Sequence, residues 1–312
     1  MSDQLVKFLL GDGHVRGVLV RLEVTWAALQ QRRAYPAPVA PLVGQMAAAS
    51  TLLAGSLKFD GSLILQIHGD GPLQLAVAEC QPDFGVRATA KVAEDGSVQL
   101  PPEVDLTSLV NVHGKGRCAI TLDPRDPAAG RQPYQGIVAL GDAQGRPLPT
   151  LSRVLEQYLA QSEQIESLLL LACDARSACG LLLQRMPGAQ AGAAHDSPDE
   201  DFSRARHLAA TLTEDELLQL APEEVLRRLF WDEGVRVFDP HTPRFHCTCS
   251  RDRVAGMLRM LGREEVESIL RERGEIDVRC EFCGQGYAFD AVDAAQVFLH
   301  PVVQPPVSSG SH

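Results

Sequence analysis

The sequence predicts an α+β protein in three parts: a mixed core domain (residues 1–186), a linker (187–243) and a small four-cysteine domain (244–300). Three observations predict this organisation. Short apolar segments separated by turn residues fill the first part, a polar stretch interrupts that pattern near residue 187, and four cysteines lie close to the C-terminus. The tail over 301–312 is rich in Pro, Ser and Gly, and we expect it to be disordered.

Strands are predicted where apolar segments end at Gly, Pro and Asp. The sequences Gly69-Asp-Gly-Pro72 and Pro82-Asp-Phe-Gly85 separate three such segments and indicate a strand meander. The predicted strands are 62–68, 73–80, 86–92, 118–122, 135–139, 167–173 and 181–184. The predicted helices are 25–32, 42–57 and 151–161. In the third helix, Leu151, Leu155 and Leu159 fall on one face at helical spacing.

The linker is predicted to have a flexible first part and a helical second part. Residues 187–205 are rich in Ala, Gly, Asp and Ser and offer little to bury, which favours a flexible segment. Thr213 and Glu216 form a capping box that opens one helix, and Pro222 suits the first turn of another. The apolar residues of these two helices are Leu217, Leu218, Leu220, Val225, Leu226, Leu229, Phe230 and Trp231. Because they cannot all face water, we expect them to cover the core domain.

The cysteines near the C-terminus form two close pairs, Cys247-Thr-Cys249 and Cys280-Glu-Phe-Cys283, with 30 residues between the pairs. Two such pairs around a short folded segment are the usual way to bring four thiolates around one tetrahedral Zn²⁺. We therefore predict one zinc ion per chain, ligated by all four sulfurs. No position would remain for a catalytic water, which excludes zinc hydrolysis. Either a permanent structural zinc or a zinc whose loss is a signal fits this set.

Local signals place the cysteine pairs at the ends of regular elements. Ser250 is expected to cap a helix over 251–261, and a second helix is expected over 264–273. A short strand at 276–278 leads into the second cysteine pair. Gly284, directly after that pair, gives the turn the freedom in φ that a metal-binding loop needs. Each half of the site can therefore form locally.

Charge and hydropathy exclude several classes of protein. The net charge is −11, and the only lysines are Lys7, Lys58, Lys91 and Lys115, so no basic run exists that would track a nucleic-acid backbone. The apolar start is too short for a signal peptide, and no stretch approaches the roughly 20 residues that cross a bilayer. We therefore expect a cytoplasmic protein with reduced thiols and without nucleic-acid or membrane partners.

Two other functions could use the same cysteines. A thiol–disulfide oxidoreductase would use Cys280 and Cys283, but this pair follows a strand and lacks the helix start that lowers the pKa of a redox cysteine. A zinc-ribbon nucleic-acid module would be basic, whereas residues 244–300 contain eight Arg and no Lys against ten Asp and Glu. No Ser/His/Asp set or paired carboxylates indicate an active site, so the chain is not expected to be an enzyme.

The remaining sulfur and imidazole groups near these segments are expected to be structural. Cys80, Cys118, Cys173 and Cys179 lie within apolar strands or at their ends, which is typical of small buried hydrophobic residues. His246 adjoins Cys247, but the sulfur set is already complete. We therefore expect His246 to lie outside the group of metal ligands.

The segments 245–254 and 279–284 resemble the redox-switch domain of the heat shock protein 33 family. Other segments that are similar to the family occur in the same order along nearly the whole chain; they are Gly69–Pro72, Tyr134–Gly136, Ser162–Ile165, Gly180–Gln184 and Leu229–Val235. One departure is Ile165-Glu-Ser, where the family more often has Ile-Pro-Thr. That difference concerns a local turn.

The resemblance implies an ATP-independent holdase chaperone of the bacterial cytosol. In that family the reduced, zinc-bound form is a compact and largely inactive monomer. Oxidants form disulfides between neighbouring cysteines and release zinc, after which the switch domain and linker unfold and the protein binds unfolding clients, often as a dimer. Carried over to this chain, the resemblance implies the ligands Cys247, Cys249, Cys280 and Cys283. It also implies the disulfides Cys247–Cys249 and Cys280–Cys283 in the oxidised state.

The energetics of a small zinc domain favour the same mechanism. A domain of about 57 residues is only marginally stable without a metal or disulfides. Structural zinc contributes roughly 10–16 kcal/mol of apparent folding free energy, as much as the whole net stability of a typical domain, about 5–15 kcal/mol. Disulfides that close loops of three or four residues constrain the unfolded chain little. We therefore expect the domain to unfold when zinc is lost.

Overall fold

The computed structural model describes residues 2–93, 104–126, 132–186 and 198–299, and the chain forms two compact units, residues 1–246 and 247–312. The first unit contains two sheets. One has the strand order β10-β1-β2-β9-β8 and the other the order β11-β5-β4-β3-β6-β7. Neighbouring strands are antiparallel except β11 and β5, which are parallel. The predicted α+β class is confirmed.

The elements of the first unit have the following bounds. The strands are β1 (Gln4–Leu10), β2 (Val15–Leu22), β3 (Gly61–His68), β4 (Leu73–Cys80), β5 (Gly85–Val92), β6 (Arg117–Pro124), β7 (Tyr134–Ala139), β8 (Ser167–Cys173), β9 (Ala178–Arg185), β10 (Arg236–Val237) and β11 (Arg244–Phe245). The helices are α1 (Val24–Arg32), α2 (Ala40–Ser56), α3 (Leu106–Val110), α4 (Leu151–Ser162), α5 (Pro198–Ala209), α6 (Glu214–Gln219) and α7 (Pro222–Phe230). All seven strands and all three helices predicted for the core are present.

The core of the first unit is built around α2, which packs against strands of both sheets. Its small residues Ala47, Ala48 and Ala49 are fully buried, because the helix is covered on all sides and has no solvent face. Small side chains allow close approach: a Cβ added at Gly44 would lie 2.2 Å from the sulfur of Cys173. A core of Leu, Val and Ala therefore needs few aromatic residues.

The strands β1 and β2 were not predicted from the sequence. Both are buried on their two faces, so their apolar residues do not alternate with polar ones as in a half-buried strand. The glycine-rich segment between them contributes only a short turn, and Gly17 lies within β2 because the ring of Phe8 occupies the space beside it. A Cβ at Gly17 would lie 2.0 Å from the Phe8 ring.

The prediction of a flexible segment over 187–205 is wrong for residues 198–205, which belong to α5; residues 187–197 lie outside the described part of the chain. Helix α5 is polar overall, but Phe202, Ala205 and Ala209 form an apolar stripe that is buried against the first sheet. Three apolar positions in a polar segment predict a helix only weakly. The helix is stabilised instead by the surface of β1, β2 and β9 that it covers.

The prediction that the following two helices cover the core is confirmed for most of their apolar residues. Val225, Leu226, Leu229 and Phe230 are buried in one cluster with side chains of β1, β2, β8 and β9. Trp231 is an exception, because it follows the last turn of α7 and is 77% exposed. The capping box is present: the Glu216 amide donates to the Thr213 hydroxyl, and the Thr213 amide donates to the Glu216 carboxylate.

Within residues 247–299, the described part of the second unit, there are three helices and one hairpin. They are α8 (Arg251–Leu261), α9 (Arg263–Arg273), β12 (Ile276–Arg279), β13 (Gly286–Phe289) and α10 (Ala291–Leu299). Ser250 caps α8 as predicted, by accepting a hydrogen bond from the Arg253 amide at 3.2 Å. The buried apolar residues of this unit are Val254, Leu258, Val266, Ile276, Phe289, Ala294 and Val297. Its core is therefore small.

Two further observations concern the ends and the surface of the chain. The predicted disordered tail, residues 301–312, lies outside the described residues. Across the part of the chain that the structure describes, every helix is too short or too polar to cross a membrane.

Candidate metal centre

The sulfur atoms of the two predicted cysteine pairs meet in the second unit. The Sγ atoms of Cys247, Cys249, Cys280 and Cys283 all lie within 4.8 Å of one another. Two of these distances join the two pairs: Cys247 Sγ lies 3.7 Å from Cys280 Sγ, and Cys249 Sγ lies 3.4 Å from Cys283 Sγ. A tetrahedral zinc with Zn–S bonds of about 2.3 Å requires sulfurs about 3.8 Å apart. The arrangement therefore fits a tetrahedral four-thiolate site.

The second cysteine pair is positioned by the turn between β12 and β13. The Gly284 amide donates to the Cys280 carbonyl at 2.8 Å, and the Cys280 amide donates to the Gln285 carbonyl at 3.0 Å. Gly284 has a φ of 73°, a value that residues with a side chain rarely adopt. This conformation lets the chain turn back sharply after Cys283. The antiparallel register of β12 and β13 then closes the hairpin behind the two sulfurs.

The first cysteine pair is positioned by the start of α8. Cys249 directly precedes Ser250, the N-cap of that helix. Arg251, in the first turn, forms an ion pair of 2.7 Å with Asp293 of α10 and lies 4.2 Å from the ring centroid of Phe289. Its guanidinium also donates to the Ala288 carbonyl at 2.8 Å. These contacts hold the start of α8 against β13 and α10, and so hold the first pair beside the hairpin.

Tyr287 on β13 contacts the sulfur set directly. Its hydroxyl donates a hydrogen bond of 3.1 Å to Cys249 Sγ. Cys249, by accepting this bond, raises the pKa of Tyr287 to about 12, with smaller contributions from burial and from the charges of nearby sulfurs. Tyr287 was not predicted from the sequence, because its contact joins β13 to the residue before the cap of α8, 38 positions away in the chain. The sequence did contain one signal for this contact. Tyr287 follows the Cys-x-x-Cys turn closely and lies on the strand that leads back past that turn.

The chemistry of the donor set also favours a cation. The pKa of the Cys283 thiol is raised to about 12 by burial and by hydrogen bonds with the sulfurs of Cys249, Cys247 and Cys280, against the lowering effect of the Gln285 amide. Four sulfurs at this spacing cannot all be thiolates without a positive charge among them. A divalent ion provides that charge and deprotonates its thiol ligands. The residues therefore fit Zn²⁺.

The histidine next to the first pair makes a side-chain contact within the first unit. The Nδ1 atom of His246 lies 2.8 Å from the side-chain oxygen of Gln81, within the first unit. Cys280 and Cys283 lie in a turn between two strands and not at a helix start, which matches the geometry that argued against a thioredoxin-type cysteine pair.

The other four cysteines lie apart from the cluster. Cys80, Cys118 and Cys179 are buried, as predicted, and Cys173 is half-buried. Burial raises the pKa of the thiols of Cys80 and Cys118 to about 12 and that of Cys179 to about 11, and it also raises the pKa of Cys173. These thiols therefore stay protonated and poorly nucleophilic at neutral pH.

Comparisons with known proteins agree with this site and fold. The model of the Hsp33 protein family matches residues 3–290. The 33 kDa chaperonin of Chromobacterium violaceum is 46% identical over 302 residues, which cover 96% of this chain and 95% of that protein. The 33 kDa chaperonin of Methylobacillus flagellatus is 41% identical over 307 residues, covering 98% of this chain and 97% of that protein.

A solved structure shares the fold. The crystal structure of the 33 kDa chaperonin (heat shock protein 33 homolog) from Thermotoga maritima matches with a TM-score of 0.76 and 21% sequence identity. The match covers 96% of this chain and 98% of that one. With the family model spanning almost the whole sequence and relatives above 40% identity over at least 95% of their length, the chain belongs to the Hsp33 protein family.

Proposed function

We propose that this protein is a redox-regulated, ATP-independent holdase chaperone that binds unfolding proteins under oxidative stress and prevents their aggregation. The observation that carries the proposal is the cluster of four cysteine sulfurs within 4.8 Å, drawn from two pairs in a unit with a small core. The names of the relatives, 33 kDa chaperonins, support the chaperone class. We infer that the protein acts in the cytoplasm and has no enzymatic or nucleic-acid-binding function.

In the reduced protein, Cys247, Cys249, Cys280 and Cys283 would hold one Zn²⁺. Bound there, the ion would cross-link the start of α8 to the β12–β13 turn and contribute roughly 10–16 kcal/mol to folding. Among its described residues the unit has seven buried apolar residues in its main cluster, and small domains of this kind are marginally stable alone. The four sulfurs are therefore the principal link between the two halves of the unit.

Oxidation removes this link by changing the sulfurs themselves. Two thiolates lose two electrons to form one disulfide, and one hydrogen peroxide takes up those electrons and two protons to become two waters. We propose the disulfides Cys247–Cys249 and Cys280–Cys283, which join neighbours within each pair. Such short loops do not connect the two halves of the unit, and disulfide sulfurs are not thiolate ligands. The second unit then unfolds.

Release of the linker would follow and expose the surface that binds clients. We propose that residues 1–186 act as the core, 187–243 as the linker and 244–300 as the switch. The linker helices cover an apolar face that includes Val6, Phe8 and Leu10 of β1. When the linker helices dissociate from this face, both the face and the apolar stripes of the helices become available to extended, apolar segments of a client. The same newly exposed surface would support a homodimer in the oxidised state and a monomer in the reduced state.

A peroxide titration of the full-length reduced protein tests the proposal. Zinc release, loss of far-UV circular dichroism and suppression of light scattering by a heat-denatured client should change together, and reductant should reverse all three. A variant with serine at the four clustered cysteines should contain no zinc and should not respond to peroxide. A wild-type protein that suppresses aggregation equally well before and after oxidation would contradict the proposal. Turnover of an insulin disulfide substrate would favour an oxidoreductase instead.

A further inference from the structure

The first unit contains a cavity of about 250 Å³ between the two sheets, near the end of α2. Its polar lining comes from Lys7 on β1, Gln81 after β4, and His241 in the segment between β10 and β11. The apolar lining residues are Ala54, Leu57, Phe59, Leu63, Pro82 and Phe84. Neither the cysteine chemistry nor the packing of the linker helices uses this cavity.

Among the described residues, Lys7 is the one lysine or arginine that lines the cavity, and Arg16 lies on the neighbouring strand β2. In the described part of the chain Lys7 forms no ion pair; its Nζ instead lies 5.5 Å from the ring centroid of Phe84. Arg16, which pairs across the strands with Leu9, donates to the side chain of Gln184 at 2.7 Å, and its Nε is buried without a hydrogen-bond partner. Burial lowers the pKa of both Lys7 and Arg16, and the charge of Arg16 lowers that of Lys7 further.

The acidic residues next to the lining segments interact with groups other than Lys7. Asp83 forms an ion pair with Arg244, and Asp60 lies 3.8 Å from Arg125. Asp239 acts on His241, where it opposes burial and the charge of Lys7, but these two outweigh it and lower the pKa of His241. The lining therefore carries one cationic side chain, Lys7, with which none of these acidic residues forms an ion pair.

Phe84, one of the two phenylalanines that line the cavity, is held in an unusual backbone conformation. Phe84 has a φ of 59°, in the left-handed region that costs a non-glycine residue of order 1–3 kcal/mol. The strain places its ring 4.7 Å from the ring of His241 and within reach of Lys7. Residues held in such conformations concentrate at ligand sites. Here the strained residue orients the two nitrogen-bearing side chains that face the cavity.

We propose that this cavity is a binding site for a phosphate group, held by the ammonium of Lys7 and the imidazole of His241. A lysine is an effective point-charge partner for phosphate, and an ordered anion would balance the charge that Lys7 brings into the site. The cavity has room for a phosphate and a small attached group.

The site would also tie the linker to the core. The backbones of Leu5 and His241 exchange two hydrogen bonds, each of 2.9 Å, and His241 lies between β10 and β11. A phosphate that joins the side chains of Lys7 and His241 adds a second connection between the same two segments. Bound phosphate would therefore slow release of the linker. This consequence, unlike binding itself, rests on the proposed function.

Isothermal titration calorimetry of the reduced, full-length protein tests the site, with inorganic phosphate and glycerol phosphate as separate probes at constant ionic strength. We expect saturable binding of one phosphate per chain. Lys7→Gln should weaken it about 10- to 100-fold, the effect of losing one charge-assisted hydrogen bond. Lys7→Arg should retain most of it. Lys58→Gln, the same change at an exposed lysine next to the cavity, should leave it unchanged.

Amide chemical shifts of the wild-type protein provide a measurement that does not depend on folding of a variant. Phosphate should shift the signals of Lys7, Phe84 and His241 together. No saturable binding, shifts confined to other residues, or equal weakening by Lys58→Gln would overturn the site. Binding of inorganic phosphate alone would restrict the ligand to the free ion, and binding of glycerol phosphate would extend it to phosphomonoesters.

The effect on the linker has its own readout. With phosphate bound, proteolytic cleavage within residues 198–243 after oxidation should slow in the wild-type protein but not in Lys7→Gln. Binding without this protection would overturn the regulatory consequence while the site stands. Absence of binding would overturn the site and leave the proposed redox function untouched.

Discussion

His14 and Asp201 form a buried side-chain pair, with 2.6 Å between His14 Nδ1 and a carboxylate oxygen of Asp201. The pair joins the turn between β1 and β2 to α5, the first described helix of the linker. Arg204 extends it by donating to the other Asp201 oxygen at 2.6 Å and to both oxygens of Glu233, after α7, at 2.9 and 3.0 Å. Both ends of the helical linker are thus fastened at one polar cluster, in addition to their apolar packing.

Asp201→Asn should loosen α5 from the core. The substitution keeps the size of the side chain but removes the charge that His14 and Arg204 contact, so the docked state should lose about 1–3 kcal/mol. Hydrogen exchange of the α5 amides in the reduced protein measures this loss. Asp199→Asn provides a matched control, because Asp199 pairs with Arg185 at the surface and such pairs contribute about 0–1 kcal/mol. Equal exchange rates in the two variants would contradict a special role for the buried pair.

Phe230→Ala should undock the linker without oxidation. The Phe230 ring is fully buried, with its centroid 5.9 Å from that of Phe8 on β1, and removing such a ring typically costs about 3–5 kcal/mol. Under the proposed function, the reduced variant should suppress client aggregation in a light-scattering assay where the reduced wild type does not. Trp231→Ala, at the exposed neighbouring position, should change stability by at most about 0.5 kcal/mol. An inactive reduced Phe230→Ala protein with normal hydrogen exchange would refute this expectation.

Tyr287→Phe should weaken metal binding while the fold is retained. The substitution deletes only the hydroxyl that donates to Cys249 Sγ, and loss of such a contact to a metal ligand typically lowers affinity about 10- to 100-fold. Competition with a chromophoric chelator under reducing conditions measures the change. Tyr134→Phe, at the half-exposed start of β7, is the control and should bind zinc like the wild type. Indistinguishable affinities for both variants would show that the Tyr287 contact is dispensable.

Cys283→Ser should unfold the second unit, because three thiolates would remain where four are needed. We expect no stoichiometric zinc and a loss of far-UV ellipticity that corresponds to α8, α9 and α10. Metal analysis and circular dichroism of the reduced protein measure both effects. Cys173→Ser, a half-buried cysteine of the first unit, should retain one zinc per chain. Retention of zinc and ellipticity by Cys283→Ser would show that the sulfur set is not the main support of this unit.

Asp83→Asn should reduce stability in a pH-dependent way. Burial tends to raise the pKa of Asp83, but hydrogen bonds from Arg244 and the Gly85 amide outweigh it and lower that pKa overall. The folded protein therefore favours the carboxylate. The resulting stabilisation is present above the unfolded pKa of about 3.9 and is lost as the pH falls through the lower folded pKa.

Urea unfolding at pH 7 and at pH 3 tests this expectation. Asp83→Asn should be less stable than the wild type at pH 7, and the difference should shrink at pH 3. Asp123→Asn, at an exposed carboxylate in β6, should show no such pattern. A stability difference that is the same at both pH values would assign the effect to the shape of the turn and not to its charge.

The sequence predicted those features that depend on neighbouring residues. The capping box of Thr213 and Glu216, the cap at Ser250 and the glycine turn at Gly284 were all found where local chemistry required them. The cysteine cluster was predictable for the same reason, because each pair closes locally and zinc preference connects the pairs. Strands between Gly, Pro and Asp turns were predictable because the breaks are strong.

Features that depend on distant partners escaped prediction. The strands β1 and β2 are buried on both faces, so they lack an alternating pattern, and α5 is helical because a separate surface covers its three buried positions. The pairing of β11 with β5 joins residues far apart in sequence. The contact of Tyr287 with Cys249 likewise joins two segments that lie 38 residues apart. Neighbouring residues alone do not specify which distant segments meet.

The eight cysteines of this chain fall into two chemical populations. Burial keeps the thiols of Cys80, Cys118, Cys173 and Cys179 protonated, while the other four share one half-buried cluster of potential metal ligands. A mild electrophile should thus consume four equivalents rapidly and then stop until the interior opens. The amount of oxidant needed for a response is therefore set by the number of clustered cysteines, because the four buried thiols do not compete for the oxidant.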